Sequence, residues 1–146
     1  MKSKMKPIVL MADHGGVVLK EQLRVWLESE GVKIHDVGTN SEASVDFPII
    51  VARGVKAVKQ YGTVGIFVCG SGIGVSMAAN RFKGIRAALV HNEIYAQLSR
   101  QHNDANVICL GGRFLSLDDA KRIVAVYLET EFLGGKYETR NKMLDA

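Results

Sequence analysis

Gly65-Ile66-Phe67-Val68-Cys69-Gly70-Ser71-Gly72-Ile73-Gly74-Val75-Ser76-Met77-Ala78-Ala79-Asn80-Arg81 is the run whose reading decides the fold. With Val64 before it, the apolar, β-branched opening reads as a buried strand over residues 64–69. Glycine then stands at every second position (Gly70, Gly72, Gly74), and the chain enters a short helix reaching about Phe82. Strand, tight glycine turn and helix in succession are the parts of a parallel α/β unit. Backbone amides at such a turn make a ready anion site, and the Cys69 thiol stands at its lip.

The same unit repeats on either side. Residues 8–12 form a short apolar run ended by Asp13-His14-Gly15-Gly16, a turn signal. Residues 17–30 carry Val18, Leu19, Leu23, Trp26 and Leu27 at helical spacing, with Gly31 closing the helix. A second strand follows at 32–37, then the loop Gly38-Thr39-Asn40-Ser41. Asp46-Phe47-Pro48 opens the next helix, Asp46 as its cap and Ile50, Val51, Val55 and Val58 on its buried face. Beyond the glycine loop come a strand at 85–90 and a helix from 93 to about 102, with Ile94, Tyr95 and Leu98 inward. A fifth strand at 106–110 ends in Gly111-Gly112-Arg113. Ser116-Leu117-Asp118-Asp119 resembles a capping box opening a helix to about 132. Gly134-Gly135 breaks it, and 136–146 reads as a polar helical tail.

Strict alternation with continuous apolar strands predicts an α/β fold. The expected form is a three-layer αβα, Rossmann-like doubly wound sheet of about five parallel strands, plus a C-terminal helical tail. One domain over residues 1–146 is expected, since two prolines and no low-complexity tract leave no linker. Ligands of such folds sit at the carboxyl ends of the strands. Asp13, His14, Cys69 and Gly111 to Arg113 all fall there.

Composition excludes several classes. Hydrophobic residues make up 47% and charged residues 23% of 146, an ordinary globular balance. The formal net charge is +4, but Lys and Arg are spread along the chain, so no nucleic-acid footprint is expected. Cys69 and Cys109 match no zinc or Cys-x-x-Cys spacing. The basic start, Met1 to Pro7, precedes too few apolar residues for a signal core or a membrane span. The expectation is a reduced, cytoplasmic protein with no membrane partner.

The glycine loop is Gly-x-Gly-x-Gly after the third strand, not the dinucleotide Gly-x-Gly-x-x-Gly after the first, and no Lys-Ser/Thr follows it as in a P-loop. A phosphate or oxyanion cradle remains, beside the plainer reading of a tight strand-to-helix turn. Cys69 faces a helix start, where a thiolate is favoured as base or nucleophile. Cys109, inside an apolar strand, reads as structural. His102 ends a helix, where a capping role is the plain alternative. His14 reads as a turn residue or ligand, and His35 and His91 have no partner. Arg113, Lys136 and Arg140 are cations around the late glycine pairs, Lys136 and Arg140 sharing a face if helical. A solvated face is the plain alternative there.

Five runs together carry a resemblance: Asp13-His14-Gly15-Gly16; Asp46-Phe47-Pro48; Cys69-Gly70-Ser71-Gly72-Ile73-Gly74; Ala78-Ala79-Asn80-Arg81; and Ser99-Arg100-Gln101-His102-Asn103-Asp104-Ala105-Asn106-Val107. In order and spacing they resemble ribose-5-phosphate isomerase type B, a family that also holds the galactose-6-phosphate isomerase subunits. The resemblance implies interconversion of ribose 5-phosphate and ribulose 5-phosphate through an enediolate, in the pentose phosphate pathway, without metal or cofactor. It implies Cys69 as the base, Ser71 assisting transfer among substrate oxygens, and His102 opening the sugar ring with Asp13 beside the sugar. The amides of Gly70, Gly72, Ile73 and Gly74 hold the enediolate, Asn103 a hydroxyl, and His14, Arg113, Lys136 and Arg140 the phosphate. It further implies a homodimer, often paired into a tetramer, with each site built from two subunits.

Two departures bear on this. Lys136 stands where many members have arginine, keeping the charge without the bidentate fork. Phe47 replaces the usual tyrosine, removing a hydroxyl near the sugar. Retention of Cys69 disfavours the galactose-6-phosphate subunit that lacks it. The alternatives are an isomerase of a six-carbon sugar phosphate such as allose or galactose 6-phosphate, and a non-catalytic module binding a phosphate or nucleotide.

Overall fold

Apolar runs bounded by glycine turns become the strands of one parallel sheet. In the computed structural model, which describes residues 6–146, β1 (Ile8–Ala12) and β2 (Ile34–Gly38) pair first, joined by β3 (Gly65–Cys69), β4 (Ala87–Leu89) and β5 (Val107–Gly111). The strand order is β2-β1-β3-β5-β4, every pairing parallel. β1, β3 and β5 are buried along their whole length, which is why their sequences are continuously apolar rather than alternating. β2 and β4, at the edges, are only partly covered.

Successive side chains of each strand point to opposite faces, and two cores result. Ile8, Leu10, Ile66 and Ile108 meet Leu19, Leu23 and Leu27 of α1 (Val17–Ser29) on one face. Further along it they meet Ile123 and Tyr127 of α5 (Leu117–Glu129), with Ala96 of α4 (Glu93–Gln101). On the other face Val9, Met11, Phe67 and Cys109 meet Val51 and Val55 of α2 (Phe47–Tyr61) and Val75 of α3 (Ile73–Ala79). α6 (Lys136–Asp145) follows as the polar tail, with Asn141 its one buried side chain. Among the described residues no helix is long and apolar enough to cross a membrane.

Some expectations are corrected. Val18 does not join the buried face of α1 and is 58% exposed. Ile94 and Tyr95 point outward, at 68% and 58%, and Leu98 is only partly buried. The residues that α4 buries are Ala96 and Ser99, small enough to let it lie close against α5. Asp46 occupies the cap position of α2, yet its carboxylate accepts no helix amide; Pro48 in the first turn opens the helix instead. The Ser116 cap of α5 is present, its Oγ accepting Asp119 N–H at 3.1 Å.

From β1 the chain steps to β2 on one side and later to β3 on the other. The carboxyl ends of β1 and β3 therefore bound the crevice where a doubly wound sheet takes its ligands.

Candidate active site

Asp13 leaves β1 buried, and its Oδ1 accepts the Gly15 amide at 2.9 Å, the side chain imitating a backbone turn. His14 is partly buried, and its Nδ1 accepts Val45 N–H at 3.2 Å from the loop before α2. A ring nitrogen that accepts cannot carry the proton, so Nε2 is the donor. That loop is itself tied down by Lys20, wholly buried on α1. The Lys20 ammonium donates to Asp36 Oδ1 (2.8 Å), Thr39 O (3.0 Å) and Asn40 Oδ1 (2.8 Å).

Cys69 ends β3 with its sulfur accepting the Gly72 amide at 3.0 Å. Gly72 makes this contact at φ 81°, a left-handed conformation that a side chain would strain. Ser71 Oγ accepts Ile73 N–H at 3.2 Å. The amides of Gly72 and Ile73 are thus already engaged by their own loop. The donors left for a bound oxyanion narrow to Gly70, Ser71 and Gly74.

Three glycine turns touch because none has a Cβ. A Cβ on Gly15 would stand 2.9 Å from Gly70 N, one on Gly16 2.3 Å from Val68 O, and one on Gly111 2.8 Å from Ser71 O. The end of β5 is stitched to the loop by Gly112 N–H to Cys69 O (2.7 Å) and Arg113 N–H to Gly70 O (3.1 Å). The Arg113 guanidinium then lies across Gly70, where a Cβ would meet Nη1 at 3.0 Å. The Phe47 ring covers Gly74, 3.0 Å from the place of a Cβ there. Asp13, His14, Cys69, the glycine loop, Ser71 and Arg113 are therefore brought together.

His102, Asn103, Lys136 and Arg140 are not. They flank the amino end of β5, whereas Cys69 pairs with Gly111 at its carboxyl end. Five strand residues separate the two ends, about 13 Å along the sheet. The second group is nonetheless built firmly. Arg86 Nε and Nη2 donate to Asn103 O (2.9 Å) and Asp104 O (3.0 Å). Tyr127 OH and Arg100 Nη1 donate to Ala105 O at 2.7 and 2.9 Å. Asp104, at φ 45°, pairs with Arg100 at 2.8 Å. Asn141, 5% exposed, donates to His102 O (3.2 Å) and accepts from Asn103 Nδ2 (3.3 Å). Tyr137 stacks on the His102 ring.

The sequence reading missed Lys20, Val45, Tyr137 and Asn141. Lys20 had a signal: with Leu23 and Leu27 it falls on the apolar stripe of α1. The other three left none, because their contacts lie far away in the chain.

Burial pushes the Cys109 thiol well above its ordinary value, as a core side chain requires. A cleft of about 680 Å³, lined by Lys6, Lys59, Arg86 and Arg100 among others, lies at the amino end of the sheet, away from Cys69. Among the described residues no three His, Cys, Asp or Glu side chains converge as a metal site.

Residues 8–144 match the family model described as Ribose/Galactose Isomerase. Ribose-5-phosphate isomerase B of Escherichia coli K12 is 41% identical over 144 residues, covering 97% of this chain and 96% of its own. A crystal structure of a ribose 5-phosphate isomerase from Thermotoga maritima superposes with a TM-score of 0.94 at 39% identity, covering 97% of this chain and 99% of that one. The structure of ribose-5-phosphate isomerase B from Clostridium thermocellum gives 0.92 at 41%, with 95% of each chain covered.

Proposed function

The chain belongs to the ribose/galactose isomerase family, and from that premise we propose that it is an aldose–ketose isomerase interconverting D-ribose 5-phosphate and D-ribulose 5-phosphate. One observation carries the mechanism: Cys69, Asp13 and Arg113 each border the touching glycine loops at the carboxyl edge of the sheet, Cys69 against Gly72, Asp13 against Gly15 and Arg113 against Gly70. Phosphate held by Arg113 and by the Nε2–H of His14 sets the sugar's reacting carbons beside the thiol. Lys136 and Arg140 complete the phosphate site. Such remote binding holds the chain in a reactive pose.

Cys69, as thiolate, removes the proton from C2, and the electrons flow onto O1 to give the enediolate. The amides of the glycine loop offset that charge as it forms. Ser71 carries a proton between O1 and O2, and Cys69 returns its proton to C1, so atoms and charge balance. Before this, the furanose must open: the bond from C1 to the ring oxygen breaks, His102 protonates that oxygen, and the proton of the anomeric hydroxyl leaves O1, which becomes the carbonyl oxygen, with Asp13 as the carboxylate at hand. Asn103 binds a sugar hydroxyl.

His102, Asn103, Lys136 and Arg140 stand about a strand's length from Cys69 in one chain. That separation supports a homodimer in which each subunit completes the partner's site. Turnover of ribose 5-phosphate, followed with and without EDTA and in D₂O, is the direct test. The reading expects EDTA-insensitive activity and deuterium at C2 or C1, and no turnover sinks it. Phe47 over Gly74, lacking a hydroxyl near the sugar, favours a second reading, a six-carbon sugar phosphate such as allose 6-phosphate. The ratio of kcat/KM for the two substrates decides between them.

A further inference from the structure

Tyr137 touches two of the residues assigned to the substrate. Its ring lies flat on the His102 imidazole, centroids 4.4 Å apart with 12° between the planes. The Lys136 ammonium stands 5.3 Å from the same ring centroid, within reach of cation–π attraction. The stack is held from several sides. Leu133 N–H donates to Gln101 O at 3.2 Å, and Asn141 grips the His102 carbonyl. Arg86 Nη1 bonds Asp145 at 2.6 Å at the far end of α6. Between these anchors Gly134 and Gly135, at φ 68° and 57°, turn the chain so that α6 starts against the end of α4.

These bonds fix the His102 backbone but leave its two side-chain torsions free. A flat aromatic face removes that freedom, and the proton of an imidazole N–H is delivered in the plane of the ring. We propose that Tyr137 is a positioning residue for sugar ring opening: its face sets the plane of His102 so that the N–H is aimed at the ring oxygen. The flat face is what matters, not the hydroxyl. The inference rests on the isomerase reading above, with His102 as the ring-opening acid.

The test uses Tyr137→Phe and Tyr137→Leu in the full-length protein with two substrates. One is ribose 5-phosphate, which exists largely as a furanose. The other is its 4-deoxy analogue, which has no C4 hydroxyl and cannot close that ring. Tyr137→Phe should keep kcat on ribose 5-phosphate within about twofold, whereas Tyr137→Leu should lower it about tenfold or more. Neither variant should change turnover of the open-chain analogue by more than about twofold. In proton NMR the ring-current shift of the His102 imidazole should survive in the Phe variant and vanish in the Leu variant. Equal losses on both substrates, or full activity of Tyr137→Leu on ribose 5-phosphate, overturn the role of Tyr137 and leave the isomerase reading standing. No turnover of either substrate by the unaltered protein overturns the isomerase reading, and the role with it.

Discussion

The sulfur of Cys69 accepts the amide of Gly72 at 3.0 Å, so the residue three positions on points the thiol toward the glycine loop. A donor aimed at sulfur is complementary to a thiolate. If that sulfur is the base, Cys69→Ala should lower kcat by about 10²–10⁴-fold or more, the range general-base catalysis supplies. Equilibrium binding of a phosphorylated product analogue should stay within about threefold if the phosphate rests, as proposed, on Arg113 and His14 rather than on the sulfur. Isomerisation at the unaltered rate in Cys69→Ala would remove the mechanism.

The close glycines make a second contrast. Gly16→Ala sets a methyl 2.3 Å from the Val68 carbonyl, and backbone cannot move aside cheaply. A loss of about 2 kcal/mol or more in urea unfolding is expected from that overlap. Gly70→Ala meets only the Arg113 side chain, at 3.0 Å from Nη1, which can swing away. Its stability should change by about 0.5 kcal/mol or less, while KM for the sugar phosphate rises severalfold as the guanidinium is displaced. Equal unfolding midpoints for the two variants would contradict the packing described here.

How much of this was open to the sequence depends on how far each contact reaches. β1, β3 and β5 are unbroken apolar runs because both faces of the central sheet are covered. Asp13, Cys69 and Arg113 each end such a run, so a parallel sheet gathers them at one edge. The inward side of α4 was not legible. Ile94 and Tyr95 have the apolar character of core residues, but the neighbour is α5, and the small Ala96 and Ser99 suit that contact. That His102 stands at the opposite end of the sheet from Cys69 follows from chain order alone, since Cys69 ends one strand of the parallel sheet and His102 precedes another. The bond from Val45 to His14 spans 31 positions, and no local pattern announces it.

Two buried acids predict an alkaline limit to stability. Burial holds both the Cys109 thiol and the Tyr127 hydroxyl above their ordinary values, and Tyr127 donates to Ala105 O at 2.7 Å besides. A folded-state pKa raised above the unfolded one gives stabilisation that is complete below the unfolded value and declines as pH climbs toward the folded value. Decline should therefore begin near pH 8.5, where an unfolded thiol ionises, and steepen near pH 10 with the tyrosine, at about 1.4 kcal/mol per pH unit for each group. Urea midpoints taken between about pH 8 and 11 should show this, and Cys109→Ala should flatten the first part of the slope. The same slope in both proteins would mean that Cys109 is not the group responsible.

The distance between the two halves of the site gives the most discriminating prediction. His102 and Asn103 flank the amino end of β5, while Cys69 lies beside its carboxyl end in the same chain. No rotation of a side chain closes about 13 Å along a strand. If a second copy supplies His102, then Cys69→Ala and His102→Ala each carry an intact version of what the other lacks. Alone, each homodimer is inactive at every site. Unfolded together in equal amounts and refolded, half of the dimers are mixed. Each mixed dimer has one site with both intact residues and one with neither, so activity should recover to about a quarter of the unaltered protein's. A site complete within one chain predicts no recovery at all, because every subunit in the mixture is defective. Recovery that is absent at the moment the two folded proteins are mixed, and present after they are unfolded and refolded together, would tie the activity to mixed dimers rather than to contamination by either parent.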